Sequence, residues 1–277
     1  MNNNTHPKAF GRFLRFWRGV HQLSQEELAD RLGSSPRHIS RLENHASTPS
    51  ETLVEEIAKS LSLGERDRNH LRIAAGYYVQ ETAVDYSDAK LRWLRKAMGL
   101  TLKALNPFPT ALTDSTGKIL MVNQAWVNFY QSRIGASDLE KVTNLYDFLF
   151  TQMGDGALLT GWQDTISMIL MALKQNAMLT NSDKDLATFE RYLTHKNVPA
   201  DWPQRAAKLE PMASYRVQID YAGKLQRFYN VSQTVGALGP AAYLAEPRLT
   251  VSTLYPEDDN LDLSGLLDAT ATHPLLP

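Results

Sequence analysis

Arg37, Ser40, Arg41 and Asn44 stand at i, i+3, i+4 and i+7. On a helix, that spacing puts two guanidiniums, a hydroxyl and an amide on one stripe. An arginine can pair bidentately with O6 and N7 of guanine in the major groove, and an asparagine with adenine. Just before the stripe, Ser35-Pro36 offers an N-cap followed by proline at the first helical position. Gln25 opens the preceding helix, where backbone N–H groups and an amide can hold a phosphate. The candidate DNA contacts are therefore Gln25, Ser35, Pro36, Arg37, Ser40, Arg41 and Asn44. The competing reading is a helical bundle with one solvated polar face.

The elements around this stripe favour the first reading. A helix-turn-helix needs a small residue where its helices cross, a glycine at the turn and apolar residues inward. Ala29 is the small residue, Gly33 the turn, and Leu28, Leu32, Ile39 and Leu42 the inward set. Ser24-Gln-Glu-Glu27 is a capping box, with Leu23 and Leu28 placed as a hydrophobic staple. Phe10, Phe13, Leu14, Trp17 and Val20 repeat at helical spacing, while Arg12, Arg15 and Arg18 keep to the polar side. Two further helices are predicted, over about 50–61 and 65–75.

Composition sets the limits. The 277 residues are long enough for two domains, with 43% hydrophobic and 21% charged residues, close to a globular average. No apolar run reaches the ~18 residues of a membrane helix. Met1-Asn-Asn-Asn-Thr-His-Pro7 lacks a basic-then-apolar leader pattern, so a cytoplasmic protein without membrane contact is expected. Cysteine is absent, which excludes disulfides, thiol nucleophiles and cysteine-ligated metals. Net charge is −1, yet the first 50 residues hold seven Lys/Arg against four Asp/Glu. A basic end on a neutral chain suits a local nucleic-acid contact.

The texture changes after a polar connector over 76–88. A helix is predicted over 91–105, then strands over Thr110–Thr113 and Lys118–Val122 around the turn Asp114-Ser-Thr-Gly117. Asn123 can cap a helix to about Ser132. A long helix over about 157–179 carries apolar residues on several faces and is expected to be buried. Another helix spans about 183–195. Strands follow over 212–221, 225–234 and 248–255, with a hairpin turn at Ala222-Gly223. Strands and helices in this order describe an antiparallel sheet covered by helices on one face, an α+β domain.

The run Leu23-Ser-Gln-Glu-Glu-Leu-Ala-Asp-Arg-Leu-Gly-Ser-Ser-Pro-Arg-His-Ile-Ser-Arg-Leu-Glu43 resembles the helix-turn-helix of the XRE (phage-repressor-like) transcription regulators. Ser34 replaces the usual valine, and His45 the usual glycine. Glu65-Arg-Asp-Arg-Asn-His-Leu-Arg-Ile-Ala-Ala-Gly-Tyr77, Pro107-Phe-Pro-Thr-Ala-Leu-Thr-Asp114, Val122-Asn-Gln-Ala125, Val198-Pro-Ala-Asp-Trp202 and Thr253-Leu-Tyr-Pro-Glu-Asp258 are similar to regulators with an MmyB-like ligand-binding domain. The resemblance implies a multidomain chain: an all-α, lambda-repressor-like helix-turn-helix domain and an α+β, PAS-like sensor domain. It also implies base reading by Ser35–Asn44, backbone contact by Gln25, and an acyl-like ligand. The expected division is 8–78 for DNA binding, 79–90 for a connector, 91–258 for the sensor and 259–277 for a C-terminal tail.

Trp126, Tyr130, Trp162, Ile166, Ile169 and Met171 are the candidate pocket residues, since aromatic and methionine side chains suit adaptable apolar binding. Ordinary core packing is the alternative for each. Arg216, on a predicted strand, could meet a ligand carboxylate, although such an arginine more often lies on the solvent face. The histidines show no metal-ligand spacing, and no P-loop, Gly-x-Ser-x-Gly or Gly-x-Gly-x-x-Gly occurs, so no enzyme, metal or cofactor is expected. The expectation is a regulator acting on double-stranded operator DNA as a homodimer and sensing a small hydrophobic ligand. A DNA-binding adaptor, whose second half only dimerises or recruits protein, is the alternative.

Overall fold

The computed structural model describes residues 8–77, 85–151, 162–180, 183–209, 214–235 and 249–277. These fall into two compact units, one up to residue 77 and one from residue 85 onward.

The first unit is five helices: α1 (Lys8–Val20), α2 (Gln25–Arg31), α3 (Pro36–Glu43), α4 (Glu51–Ser60) and α5 (Glu65–Ala74). Local chemistry sets their starts. The Ser24 hydroxyl accepts from Glu27 N while the Glu27 carboxylate accepts from Ser24 N at 2.6 Å, a reciprocal cap. Ser35 and Ser50 cap α3 and α4 through the N–H groups of His38 and Leu53. Gly33 takes φ +58° to end α2, a conformation that glycine adopts without a Cβ penalty. Leu14, Leu28, Ala29, Ile39, Leu42, Val54, Ile57 and Leu71 form one core with almost no exposure. Each large aliphatic side chain so buried contributes about 1.5–3 kcal/mol.

In the second unit a 3-10 turn (Ala89–Leu91) leads into α6 (Arg92–Ala104), followed by β1 (Thr110–Thr113) and β2 (Ile119–Val122). Helices α7 (Gln124–Ile134), α8 (Ala136–Leu139), α9 (Leu145–Thr151), α10 (Trp162–Thr180), α11 (Asp183–Leu193) and α12 (Trp202–Lys208) come next. Strands β3 (Ser214–Tyr221), β4 (Lys224–Val235) and β5 (Leu249–Pro256) complete a five-stranded antiparallel sheet ordered β2-β1-β5-β4-β3. The chain's last strand is thus central, with Leu112 opposite Val251 and Tyr229 opposite Tyr255. The β3–β4 hairpin turns at Ala222 (φ +54°) and Gly223 (φ +75°), the paired positive dihedrals that match strand twist.

The expected helical domain followed by an α+β domain is what the chain forms. Three details differ. Both faces of the β1–β2–β5 end are covered, not one. Leu112, Met121, Leu249 and Val251 pack with Leu102 and partly buried Leu94, Met98 and Leu105 on the α6 side. Ala111, Ile119, Val122 and Leu254 join the larger core with α7 and α10. This explains why β1 reads as a continuous buried run instead of alternating. The long helix α10 is buried at Thr165, Ile166, Ser167, Leu170 and Ala177, but its end exposes Met178 and Leu179. Residues expected as a tail pack onto the second unit: Leu263 and Leu266 are core residues, and Leu275 O accepts from Val122 N at 2.9 Å.

Helices α8, α9 and α12 have no counterpart in the sequence expectations. Each is short, and burial of Leu139, Phe148, Phe150 and Trp202 against distant elements holds them. The start of the long helix before residue 162, the 78–84 part of the connector and the side chain of Arg216 lie outside the described residues.

Candidate DNA interface and ligand-binding unit

The outward side of α3 is built as the spacing predicts. Ile39 and Leu42 point into the core, and this turns Arg37, Arg41 and Asn44 to the surface, with Ser40 half-buried. The stripe is internally connected. Arg15 donates from Nη2 to Asn44 Oδ1 at 2.9 Å, and Asn44 Nδ2 donates to Ser40 Oγ at 3.3 Å. Arg41 Nη2 reaches Ala46 O at 3.3 Å, an exposed contact that a stronger acceptor can displace. Ser35 Oγ is occupied by its cap to His38 N, and Pro36 stands exposed at the helix start. Gln25 is half-buried, and its Nε2 donates to Glu43 Oε2 at 2.9 Å.

Sequence reasoning missed the group that orders this surface. Glu43 is only 2% exposed and gathers three partners from two other helices. Arg18 donates from Nε to Oε1 at 2.6 Å, Arg15 from Nε to Oε2 at 3.3 Å, and Gln25 completes the set. Burial pushes the Glu43 carboxyl up, but hydrogen bonds from Arg18, Gln25 and Arg15 outweigh it and hold the carboxyl below its ordinary range. Arg18 is correspondingly raised, chiefly by its hydrogen bond to Glu43. The signal was present: Glu43 lies four residues after Ile39 and beside Leu42, on the inward side of α3.

A second missed feature is Gly11. A Cβ there would lie 2.6 Å from the carbonyl oxygens of Leu42 and Glu43. Glycine therefore lets α1 approach the end of α3, alongside the small Ala29 buried between α2 and α3. His45 takes φ +61°, the left-handed conformation in which glycine was expected.

In the second unit, Trp126, Tyr130 and Ile166 are core residues, and Ile169 and Met171 pack partly buried against the same cluster. Trp126 and Tyr130 have ring centroids 5.0 Å apart, and each packs against Phe148. The structure thus brings five of the six candidates to one apolar centre; the side chain of Trp162 lies outside the described residues. Asn123 fixes the start of α7. Its Oδ1 accepts from Trp126 N at 2.9 Å and Thr110 N at 3.0 Å, and its Nδ2 donates to Leu102 O and Phe108 O. A separate groove of about 450 Å³ is lined by Pro107, Phe108, Tyr255 and residues of the 259–267 segment, and contains none of the six.

A helix-turn-helix domain model matches residues 9–71, and the model of the MmyB-like transcription regulator ligand binding domain matches residues 94–260. The chain belongs to the MmyB-like transcription regulators. No curated protein matches it. Membership joins the two units by role: a DNA-binding helix-turn-helix and a ligand-binding domain in a transcription regulator. The ligand-domain match stops at residue 260, whereas the core of this MmyB-like regulator takes in Leu263 and Leu266. Among the described residues no helix is long and apolar enough to cross a membrane.

Proposed function

We propose that this chain is a sequence-specific regulator that reads operator DNA through the helix start at Ser35 and Pro36 and through Arg37, Ser40, Arg41 and Asn44, with Gln25 at the phosphate backbone. The observation that carries the reading is the exposed Arg37/Arg41 pair on a helix whose opposite side is locked into the core. A single helix-turn-helix reads few base pairs, so the chain acts as a homodimer on an inverted repeat with half-sites one helical turn apart. It works in the cytoplasm and performs no catalysis. The division is 8–78 for DNA binding, 79–90 as connector, 91–258 for sensing and 259–277 as a C-terminal tail.

The sensor takes a small hydrophobic, acyl-like molecule at the apolar centre around Trp126, Tyr130, Trp162, Ile166, Ile169 and Met171. The aromatic and aliphatic make-up of that centre supports this, and a ligand changes DNA affinity only by binding one arrangement of the dimer better than another. The near-complete burial of Trp126 and Ile166 favours a second reading, in which that centre is packed solid and the unit serves dimerisation or protein recruitment. Native mass spectrometry of the purified chain, followed by operator titration with a long-chain acyl compound, separates them. A co-purifying acyl species that shifts operator affinity supports the sensor; an empty protein whose operator binding ignores acyl compounds supports the adaptor.

A further inference from the structure

The groove in the second unit has a chemistry of its own. Its floor is aromatic, with the rings of Phe108 and Tyr255 4.8 Å apart between centroids and inclined at 55°. Leu263 and Leu267 add to the apolar lining, and Asp259 and Asp262 line the groove with exposed side chains. Among the described residues, no Lys, Arg or His lines the groove and neither carboxylate is paired with a cation. Hydrogen bonds from Ser264, side chain first and backbone second, hold the Asp262 carboxyl below its ordinary range, so it is charged at neutral pH.

The walls are preformed. Asn123 Nδ2 donates to Phe108 O at 2.9 Å, and Leu254 N donates to Pro109 O at 3.0 Å. On the opposite wall, Asn128 Nδ2 donates to Leu266 O at 2.9 Å and Asp268 O at 2.7 Å, which ties the 264–268 turn to α7. A rigid concave site avoids the ordering cost that weakens binding to a mobile one.

We propose that this groove binds a free organic ammonium ion carrying an aromatic or short alkyl body. The two carboxylates put a negative potential over the opening, which draws an ammonium to the rim while the ring faces below hold the body attached to it. The apolar floor takes the body of the ligand, and a volume of about 450 Å³ suits one small molecule. An anion meets repulsion from both rim residues. A neutral molecule of the same shape gains the floor and nothing from the rim. This site is independent of the acyl reading, since none of the six candidate residues around Trp126 lines it.

The test is calorimetric titration of the full chain with three probes of one shape: phenethylammonium, 2-phenylethanol and phenylacetate. The ammonium is expected to bind about fivefold more tightly than the alcohol, the size of a partly exposed ion pair at the rim, with phenylacetate weakest. The double variant Asp259→Asn/Asp262→Asn removes both charges and keeps a side-chain oxygen at 262 that can accept from Ser264 N, so the wall turn is preserved. It should remove most of the ammonium preference and leave the alcohol unchanged. Equal affinity for ammonium and alcohol, no binding of any probe, or an undiminished preference in the double variant would overturn the proposal. N-acetyl-phenylalanine amide, an uncharged peptide mimic, binding more tightly than phenethylammonium would also overturn it, because the groove would then be a peptide-docking surface.

Discussion

The Nε of Arg18 donates to Glu43 Oε1 at 2.6 Å, while its Nη1 donates to Leu23 O at 2.6 Å. One guanidinium thus ties the end of the DNA-facing helix to the loop before α2. Because the Glu43 carboxyl is held below its ordinary range in the folded unit, it contributes stability that is fully present above the unfolded carboxyl range. That contribution is lost as pH falls through the depressed folded value. Hydrogen exchange of the α1 and α3 amides should therefore be insensitive to pH-dependent destabilisation above about pH 5 and show weakening protection below about pH 4. In Glu43→Ala, protection should fall by about 1–3 kcal/mol at neutral pH, the cost of leaving the arginine donors without their acceptor. An unchanged acid profile in Glu43→Ala would show that another group governs it.

Gly11→Ala should destabilise the first unit by about 1–3 kcal/mol despite the better helix propensity of alanine, because the added Cβ meets main-chain oxygens that cannot rotate away. Urea denaturation of the variant measures it. Neutral or increased stability would mean that α1 shifts freely against α3.

Asn123→Ala removes a buried side chain that makes four hydrogen bonds, two accepted and two donated. The expected cost is about 2–4 kcal/mol, combining a lost helix cap with backbone groups left unsatisfied. Thermal unfolding of the second unit reads it out. A loss below about 0.5 kcal/mol, the range of ordinary surface changes, would contradict the placement.

A chain ending at Asn260 should fail to form a cooperative second unit. It lacks the buried Leu263 and Leu266, the His273 ring that packs 5.8 Å from Trp126, and the Leu275 carbonyl that accepts from Val122 N. Near-ultraviolet circular dichroism and limited proteolysis report this directly. A native spectrum from the shortened chain would show that 261–277 is dispensable.

Most of the first unit was legible because its signals are local: the Ser24–Glu27 box, Ser35-Pro36 and Gly33 each act within one turn of chain. Asn123 was readable as a cap for the same reason. Glu43 was passed over because its type suggests solvent, although its position beside Leu42 points inward. The closing segment was harder. Asp258, Asp259, Asp262 and Pro274 give it the composition of a polar tail, and only long-range contact with α7 and β2 buries its leucines. The groove was illegible in sequence, since Phe108 and Tyr255 meet there only through the pairing of β1 with β5.

The central claim is that the outward stripe of α3 reads bases. Once genome-wide binding-site mapping has given an operator, titration of the full chain and of Arg41→Ala against it and a scrambled duplex at fixed salt tests it most directly. The account predicts a loss of about 1–3 kcal/mol on the operator, little change on the scrambled duplex and relaxed preference at one base pair. An equal loss on both duplexes would make Arg41 a phosphate contact and contradict base reading by this stripe.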